Sequence, residues 1–314
     1  MNERPKLISI IVPFLNEEQN LPVLYNRIHT VFQDQPEDME LVLVDDGSTD
    51  GSVRWVEDIA RKDPRIKLIE LSRDFGHQIA ITAGMDHARG DAAIIMDADL
   101  QDPPEVIPEL LAKWREGYEV VYAVRHSRAG ESWAKKWTAA LFYRVFRKMA
   151  QIDVPVDAGD FRLVDQCVIM GLRNVRELHR FVRGLTCWAG FKQTAIYYER
   201  AARLSGKTKY SPWALIRLAW DALTSFSGAP LRWITGGGMF VSLLGALFTI
   251  HIVWTRLTNP ESLVPGWTML VALILIIGGI QLFCMGLMGQ YISRVFEESK
   301  KRPLYFVRRK IGLD

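Results

Sequence analysis

The chain has 314 residues, 49% of them hydrophobic and 24% charged, which excludes a disordered, collagenous or low-complexity protein and allows one large or two ordinary domains. Its 39 basic and 36 acidic side chains leave a net charge of +3, too balanced for a nucleic-acid partner to be expected. Cys167, Cys187 and Cys284 lie far apart without CxxC spacing, so neither a disulfide framework nor a zinc site is expected.

From the N-terminus, short apolar runs at Leu7 to Val12, Leu41 to Val44, Ile66 to Leu71, Ala92 to Met96 and Val120 to Val124 predict strands. Between them, Glu17 to Phe32, Ser52 to Arg61, His77 to Arg89 and Pro104 to Glu116 carry apolar residues at three- and four-residue steps and predict amphipathic helices. This βαβ series implies an α/β fold, a mostly parallel sheet flanked by helices. Ligands of such open sheets sit beyond the carboxyl ends of the strands, so the residues that follow strands carry the information.

After the second strand comes Asp45-Asp46-Gly47-Ser48-Thr49-Asp50-Gly51-Ser52, with Asp50 placed to cap the next helix. No GxGxxG or Walker loop occurs, which disfavours a dinucleotide-dependent dehydrogenase and a P-loop ATPase. After the fourth strand comes Met96-Asp97-Ala98-Asp99-Leu100-Gln101-Asp102-Pro103-Pro104-Glu105. Residues two apart on an extended chain share a side, so Asp97, Asp99 and Gln101 would present oxygen ligands together. Hard oxygens suit Mg²⁺ or Mn²⁺, which would also relieve the repulsion between the two carboxylates. Asp102, Pro103 and Glu105 read as N-cap, first-turn proline and capping-box partner of the following helix, a structural role.

Further on, Trp133 to Ala150 mixes Lys135, Lys136, Arg144, Arg147 and Lys148 with Trp137, Leu141, Phe142, Val145 and Phe146, as a helix at a lipid boundary or a packed surface helix would. Ser211 to Trp233 reads as a second interfacial helix, with Trp213, Trp220 and Trp233. Two uncharged apolar blocks follow, Ile234 to Trp254 and Trp267 to Gly289, each long enough to cross a hydrocarbon core of about 30 Å. The tail beyond Gly289 carries Arg294, Lys300, Lys301, Arg302, Arg308, Arg309 and Lys310, which by the positive-inside rule belongs in the cytoplasm. The expectation is therefore a multi-pass inner-membrane protein with two transmembrane helices and both termini cytoplasmic. Its parts would be a catalytic domain over 1–210, an interfacial helix over 211–233, two spans with a short outer loop over 234–289 and a basic tail over 290–314.

In order and spacing, IIVPFLNEE, LVLVDDGSTDGS and MDADLQDPPE resemble family 2 glycosyltransferases with the GT-A fold. Arg125 and Arg128, Gly159-Asp160-Phe161-Arg162, and the stretch Arg203 to Ser211 resemble the polyisoprenyl-phosphate subgroup, with similarity to undecaprenyl-phosphate glucosyltransferases and dolichyl-phosphate mannose synthases. The resemblance implies that Pro13, Glu17, Asp45, Asp46 and Asp97 hold the nucleotide, and that Asp97, Asp99 and Gln101 organise the metal and diphosphate. It further implies that Asp97, Asp99, Asp157 and Asp160 serve the transfer, either of the last two orienting an acceptor oxygen. Arg125, Arg128, Arg200, Arg203, Lys207 and Lys209 are then the candidate cations for the acceptor phosphate. The partners implied are a UDP-hexose, a polyprenyl phosphate and the bilayer, with a homo-oligomer permitted by the small glycines of the apolar blocks. The QxxRW segment of processive synthases is missing, so one sugar, glucose foremost, is expected per turnover. The rivals are a mannose synthase using GDP-mannose and a non-catalytic anchor subunit of glycan assembly.

Overall fold

The computed structural model describes residues 6–125, 158–178, 180–199 and 267–313, with isolated positions between 237 and 258. The chain divides into two compact units, one of residues 1–209 with 303–314, the other of residues 210–302.

The first unit is built on strands β1 (Leu7–Phe14), β2 (Asp38–Asp45), β3 (Ile66–Leu71) and β4 (Ala92–Ile95). They are joined by helices α1 (Leu21–Gln33), α2 (Ser52–Ala60) and α3 (His77–His87). A single 3-10 turn (Pro104–Val106) leads into α4 (Ile107–Arg115), followed by β5 (Val120–Arg125) and β6 (Ala158–Asp165). Helices α5 (Gln166–Arg173) and α6 (Val182–Trp188) precede β7 (Gln193–Tyr198). One eight-stranded sheet results, in the order β7-β5-β6-β4-β1-β2-β3-β8, where β8 is Val307–Ile311.

The pairs β1/β2, β1/β4, β2/β3 and β5/β7 are parallel, whereas β3/β8, β4/β6 and β5/β6 are antiparallel. The sheet is therefore mixed rather than mostly parallel. The difference comes from β6, a segment for which no strand is predicted and which inserts between β4 and β5 against their direction, and from β8 at the edge of β3. The central strands are buried on both faces, as covered parallel strands are, and their Ile, Val and Leu form the core. Leu21, Leu24, Ile28 and Phe32 of α1 and Ile107, Leu110, Leu111 and Trp114 of α4 supply the helical stripes that cover it. The N-cap of α5 is Asp165, whose carboxylate accepts from Cys167 N at 2.9 Å and from Trp114 Nε1 at 2.7 Å.

The last part of the segment read as a basic tail, residues 303–314, belongs to the first unit. There β8 covers the edge of β3, with Arg308 on Glu70 at 3.2 Å and Arg309 on both Glu70, at 2.8 Å, and Glu57. Tyr305 donates to Asp86 at 2.9 Å, beside the Arg176–Asp86 ion pair at 2.6 Å. A second departure concerns Asp102, which caps no helix: it is fully buried and accepts from Tyr198 Oη at 2.7 Å. Glu105, instead of closing a capping box, pairs with Arg27 at 2.9 and 2.5 Å.

In the second unit, helix α7 (Trp267–Ser299) contains the later apolar block, and the described positions of the earlier block are helical. The expectation of an inner-membrane protein with two spans is corrected: among the described residues, no helix is long and apolar enough to cross a membrane. α7 does not end with its apolar block but continues through Gln290, Arg294, Glu297 and Glu298. The two interfacial segments, Trp133 to Ala150 and Ser211 to Trp233, lie outside the described residues.

Helix α3 approaches the sheet on small residues, and a Cβ at Gly84 would collide with Ile11 Cγ2 and stand 3.3 Å from Val44 Cγ2. Ile11 is fully buried and cannot swing away. Overpacking of about 1–3 kcal/mol outweighs the ~1 kcal/mol that Ala gains over Gly in a helix. Gly84→Ala should therefore lower the urea midpoint of the protein; a midpoint at or above wild type would contradict this packing.

Candidate active site

Parallel register places Phe14 opposite Asp45, so the loops after β1 and β2 leave the sheet side by side. They are laced together: Asn16, at φ 58°, donates its N–H to Ser48 Oγ at 2.9 Å and accepts from Thr49 N at 2.8 Å. Glu17 N donates to Ser52 Oγ at 2.9 Å, and the Glu18 carboxylate accepts from Gly51 N at 3.1 Å. Asp45 closes the turn by accepting from Gly47 N at 3.3 Å and Ser48 N at 3.0 Å. Gly47 has φ +88°, and a Cβ there would lie 2.8 Å from Asp74 N, so only glycine fits.

Four of the five residues assigned to the nucleotide, Pro13, Glu17, Asp45 and Asp46, gather at this edge. Pro13 pairs with Val44 in the sheet, and Glu17 accepts from Asn20 Nδ2 at 2.6 Å. Asp46 accepts from Phe75 N at 2.8 Å and Gly76 N at 3.0 Å, which fixes the loop between β3 and α3. Burial raises the pKa of Asp45 and pushes that of Asp46 to about 6, in the latter case against the two backbone hydrogen bonds and with help from Asp74.

The second half of the site follows from the β4/β6 register. Ile95 pairs with Arg162, so two residues beyond, Asp97 and Asp160 come face to face. His77, the first residue of α3, reaches between them with Nε2 at 3.3 Å from Asp97 Oδ1 and 3.3 Å from Asp160 Oδ2. One ligand-type atom from each of the three lies within 4.8 Å of the others. The positive φ of Gly76, 95°, lets the chain turn into α3 so that this imidazole points at the strand ends.

Asp160 is the most heavily engaged of the three. Arg183, from α6, donates to both of its oxygens at 2.7 and 2.8 Å, and Gln78 Nε2 donates at 3.3 Å while its Oε1 accepts from Val182 N at 2.9 Å. Burial alone would raise the Asp160 pKa; the hydrogen bonds from Arg183 and His77 and the charges of Arg183 and Arg162 instead hold it well below the usual carboxylate range. Arg162, fully enclosed, donates to Thr186 Oγ1 at 2.6 Å and to the Gly159 carbonyl at 2.9 Å, and burial lowers its pKa to about 10. The partner of Asp160 is thus Arg183, not the Arg162 of its own motif. Burial opposes a charge on His77, yet Asp160 and Asp97 together raise its pKa above the ordinary value.

Asp97 differs in kind. Its side chain is 27% exposed, so the site opens to solvent there, while Oδ1 is itself buried and accepts no hydrogen bond from the described residues. Burial pushes its pKa up to about 6; His77 opposes the shift, and Asp102, Asp160 and Asp99 add to it. A buried carboxylate oxygen that accepts no hydrogen bond from the described residues, in a field of other acids, fits a divalent cation. Asp99 accepts from Gln101 N at 3.1 Å across Leu100, which has φ 61°, and Gln101 is buried.

Arg125 is the last residue of β5, opposite Tyr198 of β7. Arg128, Asp157, Arg200, Arg203, Lys207 and Lys209 lie outside the described residues. Sequence reasoning missed His77, Gln78 and Arg183, which come from helix starts remote from the acidic motifs, and Tyr198, which anchors Asp102 and meets Phe161 edge-on at 5.8 Å.

The family model described as glycosyl transferase family 2 matches residues 9–171, which hold most of β1, all of β2 to β6 and the carboxylates just described. The chain belongs to that family. An uncharacterized glycosyltransferase of Bacillus subtilis (strain 168), YkcC, is 46% identical over 306 residues, covering 98% of this chain and 94% of that one. The bactoprenol glucosyl transferase of Shigella phage SfV is 37% identical over 303 residues, covering 96% and 98%. The prophage bactoprenol glucosyl transferase homolog of Escherichia coli (strain K12) is 36% identical over 302 residues, again covering 96% and 98%. Among solved structures, the mannosyl-3-phosphoglycerate synthase of Rubrobacter xylanophilus has a TM-score of 0.48 and 17% identity over 74% of this chain and 75% of that one. The mixed sheet with its flanking helices is the α/β arrangement of a GT-A glycosyltransferase.

The Asp97 pKa, raised from 3.8 to about 6, has a measurable consequence. A carboxyl whose pKa is raised by folding favours the folded state below its unfolded value, and that contribution is lost as the pH rises through the folded value. In metal-free buffer, Asp97→Asn should therefore gain thermal stability relative to wild type between pH about 4 and about 6 and keep the gain above it. A melting-temperature difference that does not change over this range would contradict the assignment.

Proposed function

We propose that the protein transfers a single hexose, glucose from UDP-glucose, to a polyprenyl phosphate of the undecaprenyl type. The observation that carries this reading is the likeness to bactoprenol glucosyl transferases, which runs over 96% of the chain. Transfer makes a bond from an acceptor phosphate oxygen to the anomeric carbon and breaks the bond from that carbon to the diphosphate, which leaves with the electron pair as UDP. A phosphate monoester has a second pKa of about 6, so the acceptor arrives largely deprotonated and needs no strong base. One displacement of this kind inverts the anomeric centre.

In this reading Pro13, Glu17, Asp45 and Asp46 line the nucleoside end, and Asp97, Asp99 and Gln101 hold Mg²⁺ or Mn²⁺. When bound, that cation supplies charge neutralisation for the leaving diphosphate. Asp160, kept ionised by Arg183, orients rather than accepts a proton, and Asp157 is the neighbouring candidate for the same task. Arg125, Arg128, Arg200, Arg203, Lys207 and Lys209 hold the acceptor phosphate, arginine being the better match to its planar geometry.

Purified full-length protein given undecaprenyl phosphate, Mn²⁺ and either labelled UDP-glucose or labelled GDP-mannose should form lipid-linked sugar from the first only, with inverted configuration. Label transfer from GDP-mannose alone, or retained configuration, would contradict the reading. Asp99→Ala should lower turnover by at least about 10²-fold; unchanged turnover would remove Asp99 from the cation site.

A further inference from the structure

By donor type, His77, Asp97 and Asp160 could together hold one divalent cation, since their ligand-type atoms lie within 4.8 Å of one another. The charges around them are not equivalent, however. Asp160 is 6% exposed and already receives two hydrogen bonds from the planar fork of Arg183, at 2.7 and 2.8 Å, and a third from Gln78 at 3.3 Å. Arg162 adds the influence of a second positive charge on the same carboxylate. Across the imidazole, Asp97 Oδ1 is buried and accepts no hydrogen bond from the described residues. Two carboxylates thus face one histidine, one neutralised by the chain itself and one left open.

We propose that Arg183 is a positioning residue, an internal counter-ion that keeps Asp160 from competing for the divalent cation and so confines that cation to Asp97. The inference rests on the reading of Asp97 as a cation ligand. A bidentate guanidinium and a metal ion cannot occupy the same two carboxylate oxygens, and expelling Arg183 would leave an uncompensated buried charge. Without Arg183, Asp160 becomes a buried carboxylate with too few donors, 3.3 Å from the imidazole it shares with Asp97. A divalent cation is then the strongest neutraliser available, and the three residues become a competent His/Asp/Asp site.

The test is the affinity of full-length protein for Mn²⁺ alone, without nucleotide, read from the electron paramagnetic resonance signal of the free ion. Arg183→Gln should bind Mn²⁺ about tenfold more tightly than wild type, and adding Asp160→Asn should abolish the gain. Arg183→Lys, which keeps a charge but loses the fork, should fall between wild type and Arg183→Gln and serves if the latter does not fold. No tightening in either variant, or the same tightening in the Asp160→Asn background, would overturn the role of Arg183. Asp97→Asn separates the two claims. If it weakens Mn²⁺ binding while the Arg183 variants match wild type, only the Arg183 proposal fails; if it leaves wild-type affinity unchanged, the Asp97 reading falls and this proposal with it.

Discussion

The rest of the site depends on the enforced approach of two carboxylates at the end of a sheet. The antiparallel register of β4 and β6 makes Asp97 and Asp160 neighbours whether or not their charges agree. Two such anions in a partly buried place require positive charge or protons. The chain answers for Asp160 with Arg183, His77 and Arg162, and leaves Asp97 with His77 and a raised pKa. This asymmetry separates a carboxylate whose charge the chain itself balances from one that can receive a metal ion.

The surrounding fold keeps that arrangement stiff. The hydrogen bonds from Phe75 and Gly76 to Asp46 fix the turn into α3, and hence His77, against the turn after β2. Gln78 ties the start of α3 to the start of α6, which carries Arg183. Tyr198 holds Asp102, and with it the backbone that follows Asp97 and Asp99. Each contact joins elements far apart in the chain, so the site forms only when the first unit is folded as a whole.

Much of the parallel half was legible from sequence, because strands covered on both faces are unbroken apolar runs and the helices between them repeat apolar residues at helical steps. The position of the acidic motif at a strand end was legible for the same reason. The antiparallel half was not. In β6, Asp160 and Arg162 interrupt the apolar pattern and disguise a strand as a motif; in β8, Arg308, Arg309 and Lys310 look like a solvated tail until Glu57 and Glu70 are placed beside them. His77 and Arg183 had no local signature, since their importance arises from charges distant in the chain, as with the 23 positions between Arg183 and Asp160. Asp102 followed by Pro103 satisfies the local rule for a helix cap, but the buried hydroxyl of Tyr198 claims the carboxylate instead. The apolar block of α7 was read correctly as helical, but among the described residues no helix is long and apolar enough to be the span expected there.

The central claim is that the open carboxylate of this pair, and not its neutralised neighbour, takes the metal ion of the reaction. The most direct measurement is a crystal structure of the full-length protein with Mn²⁺ and UDP-glucose, using the anomalous signal of manganese to place the ion. The account predicts an anomalous peak against Asp97 with the Arg183–Asp160 pair intact. A peak bound to Asp160 with Arg183 displaced, or one that touches neither Asp97 nor Asp99, would contradict it.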